Sequence, residues 1–281
     1  MNTTSKEGSL FELDGVPKLS QAFPLALQHV VAMIVGCVTP AIIISGAASL
    51  ETADRVLLIQ ASLVVSALAT LLQLFPIGKR TGFHLGAGLP VIIGVSFAYV
   101  PSMQAIADQG GIPAILGAQI VGGICAILGY GVSNMVGACL GCLPTATYSQ
   151  NVGIVATTKV VNRVTLGLAA VIIFIAGVFP KFSALLTTIP YAVLGGATVS
   201  VFASIAMTGM KLVMTEDMNY RNTSIVGLAA ALGMGVSQAS ASLSAFPAWV
   251  TTIFGKSPVV IATLVAIFLN VTLPRDKKAG S

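Results

Sequence analysis

Several long stretches of this chain contain no Asp, Glu, Lys or Arg, among them residues 19–50, 56–78, 109–158 and 257–274. A spanning helix needs roughly 17 to 25 mostly apolar residues, and each run is long enough. In hydrocarbon every backbone N–H and C=O must be bonded within the protein, so such runs fold as helices. The run 109–158 is unusual, because its later part is crowded with hydroxyls and amides: Pro144-Thr-Ala-Thr-Tyr-Ser-Gln150-Asn151-Val-Gly153, then Thr158. A polar, proline-led break at membrane depth lines a cavity and does not face lipid. It reads as a binding site held at mid-bilayer.

Only 8% of the residues are charged and the mean hydropathy is +0.95, where a soluble domain carries about a quarter charged residues. The composition is that of an integral membrane protein. The polar first 18 residues, with Glu7, Glu12 and Asp14, are unlike a cleavable signal peptide, so the first span is expected to serve as its own insertion signal. The net charge of +5 does not gather into a nucleic-acid face, because the 14 basic residues are scattered between spans. A cytoplasmic N-terminus puts Lys6, Lys18, Lys79, Arg80, Lys159, Arg163, Lys211, Arg221, Arg275, Lys277 and Lys278 inside, and only Arg55, Lys181 and Lys256 outside. That is the asymmetry of the positive-inside rule, and it predicts a multi-pass plasma (inner) membrane protein with both termini cytoplasmic. Cys139 and Cys142 have Cys-x-x-Cys spacing but no companion pair, so with Cys37 and Cys125 they read as small residues at helix contacts and not as a metal site.

The hydropathy pattern gives about ten membrane elements. The first two spans are 23–48, carrying Gln28, His29 and Pro40, and 56–77, ending at Lys79-Arg80. A third begins near Gly86 and is broken over 94–101, where β-branched and aromatic residues predict an extended piece. After a span at 112–131, Tyr130 to Asn134 offers a turn and helix cap; a short segment, 135–143, then leads to the polar break and a half-span, 152–160. The remaining elements are 164–179, then 184–213 interrupted by Pro190 and Gly195-Gly196, then 223–238, an interfacial piece 244–254 with Trp249, and 257–273. The two breaks, 94–101 and 144–153, are the pattern of a transporter built on inverted repeats, whose interrupted helices hold the substrate.

Several ordered motifs carry a resemblance. Gln150-Asn151-x-Gly153-x-x-x-x-Thr158-Lys159 resembles the signature of the nucleobase-ascorbate transporter family, the uracil/xanthine permeases. Gln28-His29, Gly88-Leu-Pro90 with Gly94-x-Ser96-Phe97-Ala98, and Thr188-Ile-Pro190-x-Ala-Val-Leu-Gly-Gly196 are similar to the same family in the same order. The resemblance implies an all-α polytopic membrane protein with a seven-plus-seven inverted repeat, two short extended breaks, a core region (19–181) and a gate-type region (182–273) between tails 1–18 and 274–281. It implies a secondary transporter taking up a nucleobase, with the two breaks flanking one flat heterocycle. The substrate-binding residues would be Gln150 on the polar edge of the base, Asn151 beside it, Phe97 stacked on the ring, and Ser149 and Ser96. A carboxamide offers a donor and an acceptor in one plane, matching the lactam edge of a base. Uracil-selective members carry Glu at the position of Gln150, so a xanthine- or uric acid-like purine is favoured. His29 and Asn151 are the coupling candidates for H+ or Na+, with no other cofactor.

Each residue has a second reading. Phe97 could be core packing, Gln150 and Asn151 could bond helices together, and His29 could do the same. His84 reads as solvated, and Thr158 with Lys159 as the end of a half-helix. The nine acids, Glu7, Glu12, Asp14, Glu51, Asp54, Asp108, Glu216, Asp217 and Asp276, all fall in tails or loops. Family members hold the base with a glutamate on a central helix, so that helix and about three before it are expected to be missing, an internal shortening. The alternatives are a truncated, non-transporting remnant or interaction subunit, or a chain that rebuilds the site as a homodimer. An enzyme is disfavoured, since the one histidine inside a span has no acid to orient it.

Overall fold

The structure, a computed structural model, describes residues 10–77, 86–125, 131–239, 243, 246–255 and 257–274. The expected basic turn Lys79-Arg80, His84, Tyr130 and the side chain of Trp249 lie outside the described residues. Helix α1 is Leu19–Ala47 and runs through Pro24 and Pro40 without a break. Its surface is apolar almost all round, so it is buried on most sides, and α2 (Thr52–Leu74) and α6 (Arg163–Val178) pack against it. Where α2 meets α6 the backbones approach closely: a Cβ on Gly177 would lie 2.8 Å from Val64 Cγ2. Gln60 Nε2 donates to the Gly177 carbonyl at 3.1 Å across that contact. Small residues are what allow membrane helices to come this near. Met33, Ile59, Leu63, Leu143, Leu166 and Ile173 fill the core between these helices.

A three-residue strand β1 (Ile93–Val95) and a 3-10 turn (Phe97–Tyr99) precede α3 (Val100–Cys125). The expected start of a separate span at Ile112 is a kink within α3, at Gly111 with φ 63°, just before Pro113. Helix α4 (Gly131–Cys139), strand β2 (Thr145–Thr147) and α5 (Ser149–Thr158) follow. The turn and cap expected at 130–134 is the first turn of α4 over its described part, 131–134. Helix α6 is capped by Asn162, whose Oδ1 accepts from Val164 N and Thr165 N. A bend of 86° then separates α6 from α7 (Pro180–Thr187).

Helix α8 (Tyr191–Val213) starts after Pro190 and continues through Gly195-Gly196, so only the proline interrupts this run. Two glycines weaken a helix, but in an apolar setting the chain has no better place for its hydrogen bonds. Helices α9 (Tyr220–Gln238), α10 (Ala248–Gly255) and α11 (Pro258–Thr272) complete the fold. Arg221, early in α9, bonds to Asn270 late in α11 and to Leu273 just after it, and Gly233 sits against Pro258, so α9 and α11 are antiparallel. Large apolar side chains on α8, α9 and α11 are exposed, among them Val199, Phe202, Leu232, Leu264 and Phe268.

Among the described residues, two helices are long and apolar enough to cross a membrane, α1 and α2; α6 with α7 makes a third if the bent pair is one crossing. About ten membrane elements are expected from hydropathy. Part of the difference is length: α4, α5, α7 and α10 have ten residues or fewer, and α11 has 15.

Candidate functional site

The two extended pieces form one antiparallel ribbon, with Ile93 opposite Thr147, Gly94 opposite Ala146 and Val95 opposite Thr145. Ser96 N donates to the Pro144 carbonyl and Tyr148 N to the Ile92 carbonyl, each at 2.9 Å, which lengthens the pairing by a residue at both ends. A lone two-stranded ribbon is marginal even in water. Three side chains hold this one, two of them from outside it. The Thr70 hydroxyl of α2 donates to Ile93 O (3.1 Å) and accepts from Ile93 N (3.0 Å), bonding the outer edge of β1. Asn134 of α4 does the same for β2: its Oδ1 accepts from Thr145 N (2.6 Å) and Thr145 Oγ1 (3.0 Å), and its Nδ2 donates to Thr145 O (3.3 Å). Gln119 of α3 fixes α4 in turn, donating to the Asn134 carbonyl at 2.7 Å.

Tyr148 is the third. Its ring is buried against two glycines, and a Cβ would lie 2.4 Å from Tyr148 Cζ at Gly94 and 3.0 Å at Gly36. Its hydroxyl donates to Cys37 Sγ at 3.2 Å. The ring therefore locks α1, β1 and the start of α5 together. Sequence reading did not give Thr70, Asn134 or Tyr148 this role. The available signal was Gly94, a residue that weakens a strand unless something must approach it closely.

The extended stretches are shorter than the 94–101 and 144–153 expected. The first ends at Ser96, whose Oγ accepts from Ala98 N at 3.3 Å and starts the 3-10 turn at Phe97. Pro101 then sits in the first turn of α3, where its missing N–H costs little. The second stretch ends at Tyr148, and Ser149, Gln150 and Asn151 open α5. Because the strands are antiparallel, the helices that follow them leave from opposite ends of the ribbon. The first N–H groups of each have no partner within the helix and carry its positive dipole end.

Of the residues singled out in the sequence, His29 and Asn151 are brought together. His29 Nδ1 lies 3.3 Å from Asn151 Oδ1, and both side chains are buried. With the amide so assigned its oxygen only accepts, so His29 carries a proton on Nδ1. Asn151 Nδ2 is buried and has no hydrogen-bond partner among the described residues. Phe97 is also buried, its ring edge-to-face with Phe202 of α8 at a centroid distance of 5.4 Å. The side chains of Ser149 and Gln150 lie outside the described residues, and with them the expected facing of Phe97 and Gln150. Helix α5 ends at Thr158, with Lys159 in the left-handed region at φ 59°. A separate cavity of about 810 Å³ between α2, α3 and α6 is lined by Leu57, Val64, Ile112, Leu116 and Val178, and touches none of these residues.

A family model described as a permease family, for xanthine and uracil permeases, matches residues 20–129 and 125–242. The chain belongs to this family, the nucleobase-ascorbate transporters. It is 35% identical over 144 residues to the xanthine permease XanQ of Escherichia coli K12, covering 51% of this chain and 31% of that protein. It is 33% identical over 148 residues to the xanthine permease XanP of the same strain, covering 53% and 32%. With the uric acid permease PucJ of Bacillus subtilis 168 the identity is 35% over 150 residues, covering 53% and 33%. The matched part spans about a third of the length of each of these relatives. The family is one of membrane transporters, not enzymes, and the chain's apolar helices agree with it.

Proposed function

We propose that the chain is a secondary transporter that takes up a nucleobase, a xanthine- or uric acid-like purine before uracil, by cation symport with H+ before Na+. The observation that carries this reading is the buried amide of Asn151 at the head of α5, whose oxygen faces His29 while its Nδ2 has no hydrogen-bond partner among the described residues. An orphaned buried donor costs about 1–3 kcal/mol and persists where a ligand completes it. The names of the relatives, xanthine and uric acid permeases, supply the class of ligand. On this reading Gln150 pairs with the lactam edge, Ser149 and Ser96 contribute polar contacts, Phe97 closes the aromatic side of the chamber, and the His29–Asn151 pair couples the cation to the base. The two ribbon strands are then the broken elements of an inverted repeat, with a core over 19–181 and a gate over 182–273. The family model meets the chain in two segments that join at residues 125–129, which supports an internally shortened member. The chain resides in the plasma membrane with both termini cytoplasmic.

The test is uptake. Vesicles holding the purified protein should accumulate labelled xanthine when a proton gradient is imposed, and Gln150→Ala should abolish it. Uptake no greater than in empty vesicles removes the transport reading. A second reading, a non-transporting remnant or interaction subunit or a site rebuilt by a homodimer, is favoured by one specific observation, that the match spans only a third of each relative. Thermal stability that responds to no nucleobase supports the remnant, and xanthine uptake confined to a cross-linkable dimer supports the rebuilt site.

A further inference from the structure

We propose that residues 12–15 form a strap that locks the start of the ribbon, so that releasing the N-terminal segment loosens β1. Asn162, completely buried, sends its Nδ2 to two carbonyls of this segment, Glu12 O at 3.0 Å and Gly15 O at 2.6 Å. Arg163 N donates to Leu13 O at 3.0 Å, and its guanidinium forms an ion pair with Asp14. The other edge of that guanidinium holds the loop before β1: Nε and Nη2 both donate to Gly88 O, at 3.1 and 2.6 Å. Gly88 is the residue that permits this, since its φ is +69° and a Cβ there would lie 2.9 Å from Arg163 Nη2. The loop is tied to α2 as well, through Gly88 N to Gln73 O at 2.8 Å.

One planar fork thus bonds the tail on one side and the approach to β1 on the other, and its neighbour Asn162 caps α6 with the oxygen of the amide that holds the tail. A guanidinium serves both sides at once because its donors are rigidly arranged. The strap itself is held by polar contacts more than by burial: Phe11, Glu12, Asp14 and Val16 are exposed, and the Asp14 side chain is 76% exposed. Such a segment opens at low cost and on its own. When it leaves, Asp14 no longer orients the fork, and the two hydrogen bonds to Gly88 O, four residues from Ile92, are free to break. The proposal rests on these contacts and not on what the chain transports.

The test is hydrogen exchange on the full-length protein in lipid nanodiscs. Asn162→Asp keeps the oxygen that caps α6, since Asp caps as well as Asn, but turns an acceptor toward the carbonyls of Glu12 and Gly15. Exchange over residues 10–17 and 86–95 should rise together by about tenfold, while residues 30–45 in α1 stay protected. Faster exchange in the tail alone, or in neither segment, overturns the proposal. Should Asn162→Asp fail to fold, Asp14→Ala changes only an exposed carboxylate and should raise exchange in the same two segments by about threefold; no change over 86–95 in that variant overturns it equally.

Discussion

Around the ribbon, a methyl group added at Gly94 would lie 2.4 Å from the Tyr148 ring, whereas at Gly195 of α8 or Gly227 of α9 it would meet nothing within 4 Å among the described residues. The same residue type marks opposite kinds of packing. In the region built from α1, α2, α6 and the ribbon, glycine lets backbone and aromatic ring share a volume, and Thr70, Asn134 and Ser96 satisfy the backbone that the short strands leave open. In α8, α9 and α11 the surfaces are apolar and exposed, and the buried positions of α9 and α11 are few, Ile225, Ala229, Gly233 and Ile261. One region carries its specificity in internal bonds. The other offers an apolar surface to the bilayer, where association has no hydrophobic drive between helices.

The largest effect should come from Gly94→Ala. Overpacking a filled site costs about 1–3 kcal/mol, and a contact of 2.4 Å to a ring locked by Cys37 and Gly36 belongs at the top of that range. Gly227→Ala should instead stabilise by about 0.5–1 kcal/mol, since the helix gains propensity and nothing is crowded. Thermal unfolding of both variants in one detergent measures the difference, and equal shifts would break the comparison.

Thr70→Val tests the ribbon's outer edge. The side chain keeps its shape but leaves Ile93 N and O without their partner, and a buried unsatisfied group costs about 1–3 kcal/mol. A loss of about 2 kcal/mol is expected, with faster exchange of the Ile93 amide. A loss below about 0.5 kcal/mol would mean that β1 does not need α2. Ser102→Ala probes the tether between the two regions, since Ser102 Oγ of α3 donates to Ser257 Oγ just before α11 at 3.1 Å. A partly buried hydroxyl pair is worth about 0.5–1.5 kcal/mol, so the expected change is about 1 kcal/mol, with raised exchange in α11 and none in α1.

How much of this was legible follows the same division. The charge-free runs announced membrane helices because hydropathy over 20 residues is a property of the sequence itself, and α1 and α2 begin and end within four residues of the expected spans. The ribbon's two strands lie at the polar breaks because β-branched residues and Pro144 are local signals. What could not be read was who holds the ribbon. Thr70 looks like any hydroxyl in an apolar helix, Asn134 looked like a turn, and Tyr148 looked like part of a polar stretch; each acquires its role from a partner between 11 and 111 residues away. Likewise Gly195-Gly196 is a local breaker overridden by the demand for intrahelical bonds, so α8 runs on through it.

The smallest change in stability should accompany the sharpest change in behaviour, at Asn151. Asn151→Leu keeps the branching of the side chain, removes the Nδ2 that has no partner among the described residues and takes the acceptor from His29. Relieving an unsatisfied buried donor gains about what losing one hydrogen bond costs, so the net should lie within about 1 kcal/mol of the parent protein. Any thermal stabilisation by xanthine should vanish in the same variant, because on the proposed reading the base completes the amide. If Asn151→Leu instead loses more than about 3 kcal/mol, the amide belongs with Thr70 and Asn134 as a fastening of the ribbon. The polar chemistry at the head of α5 would then be packing, and the comparison between a bonded region and an open one would extend to the candidate site itself.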